Sequence, residues 1–165
     1  MEIERKFLVP DPPPLEGTRS DPVEQGYLSL GPEGEVRLRR RGNALLLTVK
    51  RGAGLVRDEQ EVELSPEQFE ALWPLTEGRR LRKRRHLVEH DGHEVELDVY
   101  EGELDSLAVA EVEFSDEAKA ESFQPPPWFG EEVTGDHEYK NESLAVHGLP
   151  PSALTTRSHR EGGDR

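Results

Sequence analysis

Charged residues recur two positions apart along this chain: Glu2, Glu4 and Lys6; Arg37 and Arg39; Glu59, Glu61 and Glu63; Lys83 and Arg85; Glu94, Glu96 and Asp98; Glu111 and Glu113; with Lys50 on a segment of its own. Residues two apart on an extended chain point to the same side, so each set forms a row on one face of a pleated ribbon. The opposite positions carry Ile3 and Phe7, Val36 and Leu38, Val62 and Leu64, Val95, Leu97 and Val99, and Ala110, Val112 and Phe114. A sheet with one solvated face reads the same way, and its cross-strand ion pairs are worth only about 0.2–1 kcal/mol each. The sign pattern argues for more. Basic and acidic pairs segregate by strand, and like charges held so close repel unless a polyanion with bound cations lies between them. Arginine presents a fork to phosphate oxygens and lysine a point charge, which suits Arg37, Arg39, Lys50, Lys83 and Arg85 to a phosphate chain. Carboxylates are hard oxygen ligands, which suits Glu2, Glu4, Glu111 and Glu113 to Mg2+ or Mn2+. Phosphoryl transfer needs both sets facing one cavity.

The elements that must position them are mostly strands. Met1 to Val9 alternates polar and apolar residues. Pro10 to Pro14 and Asp21-Pro22 mark a loop, and Val23 to Leu30 and Gly34 to Arg41 read as a hairpin around Gly31-Pro32-Glu33. Further strands are predicted over Ala44 to Arg51, Arg57 to Leu64, Arg80 to His90, His93 to Tyr100 and Leu107 to Phe114, with a turn at Asp91-Gly92. Ser65-Pro66-Glu67-Gln68 has the form of a capping box opening a helix that Pro74 ends. A second helix opens at Ser115, with Asp116 and Glu117 in its first turn, and a third spans Asp136 to His147. About eight strands with three small helices predict an α+β protein whose antiparallel sheet curls or closes. Lys83 and Arg85 lie within the run Arg82 to Arg85, where a one-residue slip would turn Arg82 and Arg84 inward instead.

The 165-residue length fits one domain, and the net charge of −14 argues against nucleic acid or an anionic membrane as partner. No apolar run approaches the roughly 20 residues of a membrane span, and the N-terminus opens on charge, so a cytoplasmic location is expected. With no cysteine, any metal must be held by oxygen or imidazole. The histidines show no metal-binding spacing. Trp73, Trp128 and Phe129 suit packing of helices on the sheet better than a stacking platform. Gly52-Ala53-Gly54 lacks the lysine and helix of a phosphate-binding loop.

Glu2-Ile3-Glu4-Arg5-Lys6 resembles the Glu-x-Glu-x-Lys signature that opens the triphosphate tunnel, or CYTH, proteins. Arg37-Leu38-Arg39, Thr48-Val49-Lys50, Glu61-Val62-Glu63, Lys83-Arg84-Arg85, Leu97-Asp98-Val99-Tyr100 and Ala110-Glu111-Val112-Glu113-Phe114 resemble further family motifs in the same order. Trp128-Phe129-Gly130, Glu132-Val133-Thr134-Gly135 and Tyr139-Lys140-Asn141 resemble the closing segment of short bacterial members. The resemblance covers residues 1–149 as one domain and leaves 150–165 as an expected disordered tail.

It implies an eight-stranded antiparallel closed barrel with a few short flanking helices, the triphosphate at its centre. By that likeness Lys6, Arg37, Arg39, Lys50, Lys83 and Arg85 bind phosphate; Glu2, Glu4, Glu111 and Glu113 hold Mg2+ or Mn2+; and Glu61, Glu63 and Asp98 serve metal or orient water. Lys83 and Glu4 are the catalytic candidates, Lys83 as an aid to proton transfer. The lysine resemblance also selects Lys83 and Arg85 over the slipped register. The implied activity is metal-dependent hydrolysis of a small triphosphate, tripolyphosphate first, in a chain that the likeness allows to be a homodimer. Thiamine triphosphatase, nucleoside triphosphatase and adenylate cyclase are the alternatives within the family. A non-catalytic module binding polyphosphate or nucleotide is the alternative of another class.

Overall fold

The structure, a computed structural model, describes residues 3–52, 58–151 and 153. The strands are β1 (Ile3–Leu8), β2 (Arg19–Gly31), β3 (Gly34–Arg41), β4 (Ala44–Arg51), β5 (Asp58–Glu63), β6 (Arg80–His90), β7 (His93–Tyr100) and β8 (Ala108–Phe114). The helices are α1 (Pro66–Leu72), α2 (Glu117–Ser122) and α3 (Asn141–His147). All eight strands form one antiparallel sheet in the order β1-β8-β7-β6-β2-β3-β4-β5. β1 and β5 are its two ends, and no ladder joins them among the described residues, so hydrogen bonds do not close the sheet into a barrel. No helix among the described residues is long and apolar enough to cross a membrane.

Local chemistry explains most boundaries. Ser65 caps α1 through a complete capping box with Gln68, and Pro66 sits where its missing N–H costs nothing. The β6–β7 turn places Asp91 and Gly92 at φ 47° and 77°, the left-handed pair that a two-residue hairpin demands. β2 differs from the sequence reading, because it starts at Arg19 and runs through Asp21-Pro22. Pro22 is tolerated there because its carbonyl still accepts from Gly42 N–H, 3.0 Å away, while its ring asks for no donor partner. The predicted third helix divides into a 3-10 turn over His137–Tyr139, an extended Lys140, and α3. Of the strand expected over Arg57 to Leu64, Arg57 lies outside the described residues. So do Ser152 and 154–165 of the expected tail; of its described residues, Pro151 and Ala153 are helical and Pro150 is not.

The main apolar cluster lies on one face of β1, β8 and β7. Phe7, Val95, Leu97, Ala110, Val112 and Phe114 pack there beneath Ala120 and Phe123 of the α2 region, with Trp128 and Phe129 against them. Arg5 is on this side too, its guanidinium 5.1 Å from the Phe7 ring and clamped on Glu132. Trp73 stacks on Phe69 at 5.3 Å. The tryptophans thus serve packing. A second cluster, Leu81, Tyr100, Leu104, Leu107, Val109, Val133, Tyr139 and Leu144, seats the closing segment and α3 on the sheet.

Candidate active site

Pairing register carries the predicted site residues onto the other face. Tyr27 stands opposite Arg37, Arg37 opposite Thr48, and Thr48 opposite Glu61. One row over, Gln25 faces Arg39, Arg39 faces Leu46, and Leu46 faces Glu63. In the other half of the sheet Arg85 faces Asp98, Glu96 faces Glu111, Glu111 faces Lys6, and Glu113 faces Glu4. Directly opposed residues on antiparallel strands share a face. A single surface therefore carries Glu4, Lys6, Arg37, Arg39, Lys50, Glu61, Glu63, Lys83, Arg85, Asp98, Glu111 and Glu113. Glu2 lies outside the described residues. The register ambiguity in β6 resolves as well: Lys83 and Arg85 are buried, while Arg82 and Arg84 are exposed.

The centre of this face is a buried ion cluster. Lys83 Nζ donates to Asp98 Oδ2 at 2.7 Å, and Arg85 donates to both Asp98 oxygens at 2.8 and 2.9 Å. Arg85 also pairs with Glu96 at 2.6 Å. Burial lowers the Lys83 pKa to about 8 against the pull of Asp98, with the charges of Arg85 and Arg39 lowering it further. Asp98 is held down to about 2, because the cations of Lys83 and Arg85 and their hydrogen bonds outweigh its own burial. Arg85 is raised, since Asp98 and Glu96 overcome its desolvation. Both Asp98 oxygens are thus engaged by cations, which suits it to orienting them.

Next to this cluster the cations have few carboxylate partners. Arg39 is lowered to about 10 by burial and by the neighbouring charges of Arg37 and Arg85. Its Nε reaches Gln25 Oε1 at 3.2 Å, and Gln25 in turn donates to the Tyr27 hydroxyl at 3.0 Å. Arg37 touches Thr48 Oγ1 at a long 3.5 Å, and Thr48 donates to Glu61 at 3.1 Å. Arg37 Nε is the buried side-chain polar atom, among the described residues, that has no hydrogen-bond partner. A buried donor left in that state costs about 1–3 kcal/mol, and a phosphate oxygen is the acceptor that two arginines and a lysine would select. Lys50, 3.6 Å from Glu35, borders a cavity of about 420 Å3 that α3 walls with Glu142, Val146 and His147.

The opposite end is acidic. Glu94, Glu96, Glu111 and Glu113 line a cavity of about 150 Å3. Lys6 pairs with Glu111 at 3.3 Å. Glu4 keeps solvent access, yet its pKa is raised to about 7 by partial desolvation and by Glu111, Glu113 and Glu96, with Lys6 opposing. Among the described residues no three acidic or histidine side chains form a ready-made metal cage. The donor chemistry nevertheless fits a hard divalent ion of the Mg2+ class, which takes one or two carboxylates and completes its shell with water and substrate phosphates.

Sequence reasoning gave no site role to Gln25, Tyr27, Thr48, Tyr100, Asn141 or the pair Glu94 and Glu96. The charged rows pointed to Glu94 and Glu96. The alternation of β2 would have placed Gln25 and Tyr27 with them, had neutral side chains been counted; Thr48, Tyr100 and Asn141 stand in segments that carry the family resemblance, but no local pattern assigns them a role.

A sheet face that sets a row of cations beside a carboxylate wall has the chemistry to take a polyphosphate together with a divalent ion. The CYTH domain matches residues 1–148, and the chain belongs to that family, the triphosphate tunnel metalloenzymes, whose chemistry depends on metal. An inorganic triphosphatase of Nitrosomonas europaea is 49% identical over 147 residues, spanning 88% of this chain and 97% of that protein. An inorganic triphosphatase of Acetivibrio thermocellus is 35% identical over 145 residues, spanning 87% and 92%. A crystal structure of an inorganic triphosphatase superposes with a TM-score of 0.75 at 45% identity, covering 91% of this chain and 97% of that one.

Proposed function

We propose that this protein hydrolyses inorganic tripolyphosphate to pyrophosphate and phosphate, and that its sheet curls into a tunnel with the charged face inside. The observation that carries the reading is Arg37, a buried guanidinium in the middle of a cation row whose Nε has no acceptor among the described residues. Lys6, Arg37, Arg39, Lys50, Lys83 and Arg85 would grip the phosphate oxygens. Two relatives bearing the inorganic triphosphatase name, aligned over most of the chain, support this substrate.

Glu4, Glu111 and Glu113 would hold Mg2+ or Mn2+, with Glu61 and Glu63 on β5 as further ligands. When bound, the ion would polarise phosphate oxygens and neutralise developing charge. The protein's own contribution is positional and electrostatic. Water attack forms one P–O bond at the terminal phosphorus, breaks the adjoining P–O–P bridge and sheds a proton. The cations, fixed before the reaction by Asp98, Gln25 and Thr48, stabilise charge on the departing pyrophosphate without reorganising. Lys83, lowered to about 8 by burial, is the site cation placed to exchange a proton near neutral pH. Asp98 orients Lys83 and Arg85. A cytoplasmic site of action belongs to the same proposal, and so does a homodimer, the latter on family likeness.

The cavity of about 420 Å3 beside Lys50 has room for an organic substituent, so the substrate must be tested among rivals. Phosphate release is measured from tripolyphosphate, ATP and thiamine triphosphate with Mg2+, with Mn2+ and with chelator, beside a Glu4→Ala control. Metal-dependent release, strongest from tripolyphosphate and lost in the control, is the expected result. Thermal stabilisation by tripolyphosphate with no release from any substrate would instead make the protein a binding module.

A further inference from the structure

Lys83 is held from two sides. Its side chain has no exposed surface, and its ammonium donates to Asp98 Oδ2 at 2.7 Å. Its second partner is remote in sequence: Asn141, the first residue of α3, whose Oδ1 lies 3.5 Å from Lys83 Nζ. The same Oδ1 accepts from the Tyr100 hydroxyl at 2.7 Å, and Tyr100 also lays its ring 5.6 Å from the ammonium. Lysine has only donors to offer, so the amide must turn its oxygen, not its nitrogen, to this corner. Two of the three ammonium N–H groups then have protein acceptors on different elements, and the third has its direction set by them.

We infer that Asn141, oriented by Tyr100, is a positioning residue for Lys83, aiming the remaining N–H of the ammonium at the phosphate chain and tying that aim to the seating of α3. Asp98 alone cannot do this. It also binds Arg85 through both oxygens, so one short contact would leave the lysine free to pivot about it. The inference rests on the proposed role of Lys83 at the triphosphate.

The test compares wild type, Asn141→Leu, Tyr100→Phe and the double variant in tripolyphosphate hydrolysis with Mg2+ or Mn2+, with melting temperatures alongside. Asn141→Leu should lower kcat about tenfold or more while KM stays within about threefold, because binding persists and only the aim is lost. Tyr100→Phe, which keeps the packed ring, should shift kcat in the same direction by less. The double variant should be no slower than Asn141→Leu, since both changes remove one device. Acetic anhydride labelling of Lys83, scored by mass spectrometry against exposed Lys119, reads the contact without activity and should be about threefold faster in Asn141→Leu. Unchanged kcat in Asn141→Leu, an additive double variant, or a kcat loss matched by a fall in melting temperature would each overturn the inference. Should the wild type release phosphate from no triphosphate, the functional reading fails separately; unchanged Lys83 labelling would then refute the positioning role.

Discussion

Lys83 Nζ lies 2.7 Å from Asp98 Oδ2 with both side chains sealed from water. Asp98 is therefore the anion on which two site cations depend. Asp98→Asn would leave the buried Lys83 without its carboxylate and Arg85 with Glu96 alone, and should destabilise the protein by about 3–5 kcal/mol in denaturant unfolding. The acid limb of stability should change too. With its folded pKa depressed to about 2 from 3.8, Asp98 stabilises above about pH 4 and loses that contribution as pH falls toward 2. Asp98→Asn should remove this share of the acid dependence, and an acid limb identical to wild type would contradict the assignment.

Glu4 titrates in the opposite sense. Its folded pKa is raised from 4.5 to about 7, so the folded state binds the extra proton between those values, and the metal-free protein loses this contribution to stability as pH rises through the window. A divalent ion requires the carboxylate. The melting-temperature increase produced by Mn2+ should thus be small at pH 5.5 and larger at pH 8, and Glu4→Gln should flatten that difference.

Arg37 should separate binding from stability. Its buried Nε has no hydrogen-bond partner among the described residues, so Arg37→Met relieves an uncompensated group and should leave the ligand-free melting temperature unchanged or raised. The same change removes a fork for phosphate oxygens and should raise KM for tripolyphosphate about tenfold or more. A large fall in ligand-free stability would show that Arg37 serves the fold.

Thr48 links the two signs of charge, touching Arg37 and donating to Glu61. Thr48→Val keeps the shape and removes the link. It should weaken stability by about 1 kcal/mol and reduce the stabilisation that tripolyphosphate and metal produce together more than the sum of their separate effects, read by differential scanning fluorimetry.

Gly26 is a packing prediction. A Cβ there would meet Thr76 Oγ1 at 2.6 Å, where Thr76 is buried and bonded to Trp73 and Arg80. Gly26→Ala should cost about 1–3 kcal/mol, measured by urea unfolding, with a local effect on the α1 region.

The amino-acid sequence by itself determined which residues share a face and what chemistry that face can do. Two-residue spacing is a property of the extended chain, so the charged rows and their apolar backs were legible before any strand was paired. The capping box at Ser65 and the Asp91-Gly92 turn were legible for the same reason, because a few adjacent dihedrals decide them. Pairing is not local. Only the tertiary structure chose the strand order, which brings β6 beside β2 and so sets Lys83 near Arg39, and left β1 and β5 as the two ends. Only it showed that Asp98 is claimed by cations, that neutral Gln25 and Thr48 orient the arginines, and that Asn141 comes back across 58 positions to reach Lys83. The spacing of a strand states where a side chain points, but its partner is chosen by packing among segments far apart in the chain, which no local pattern encodes.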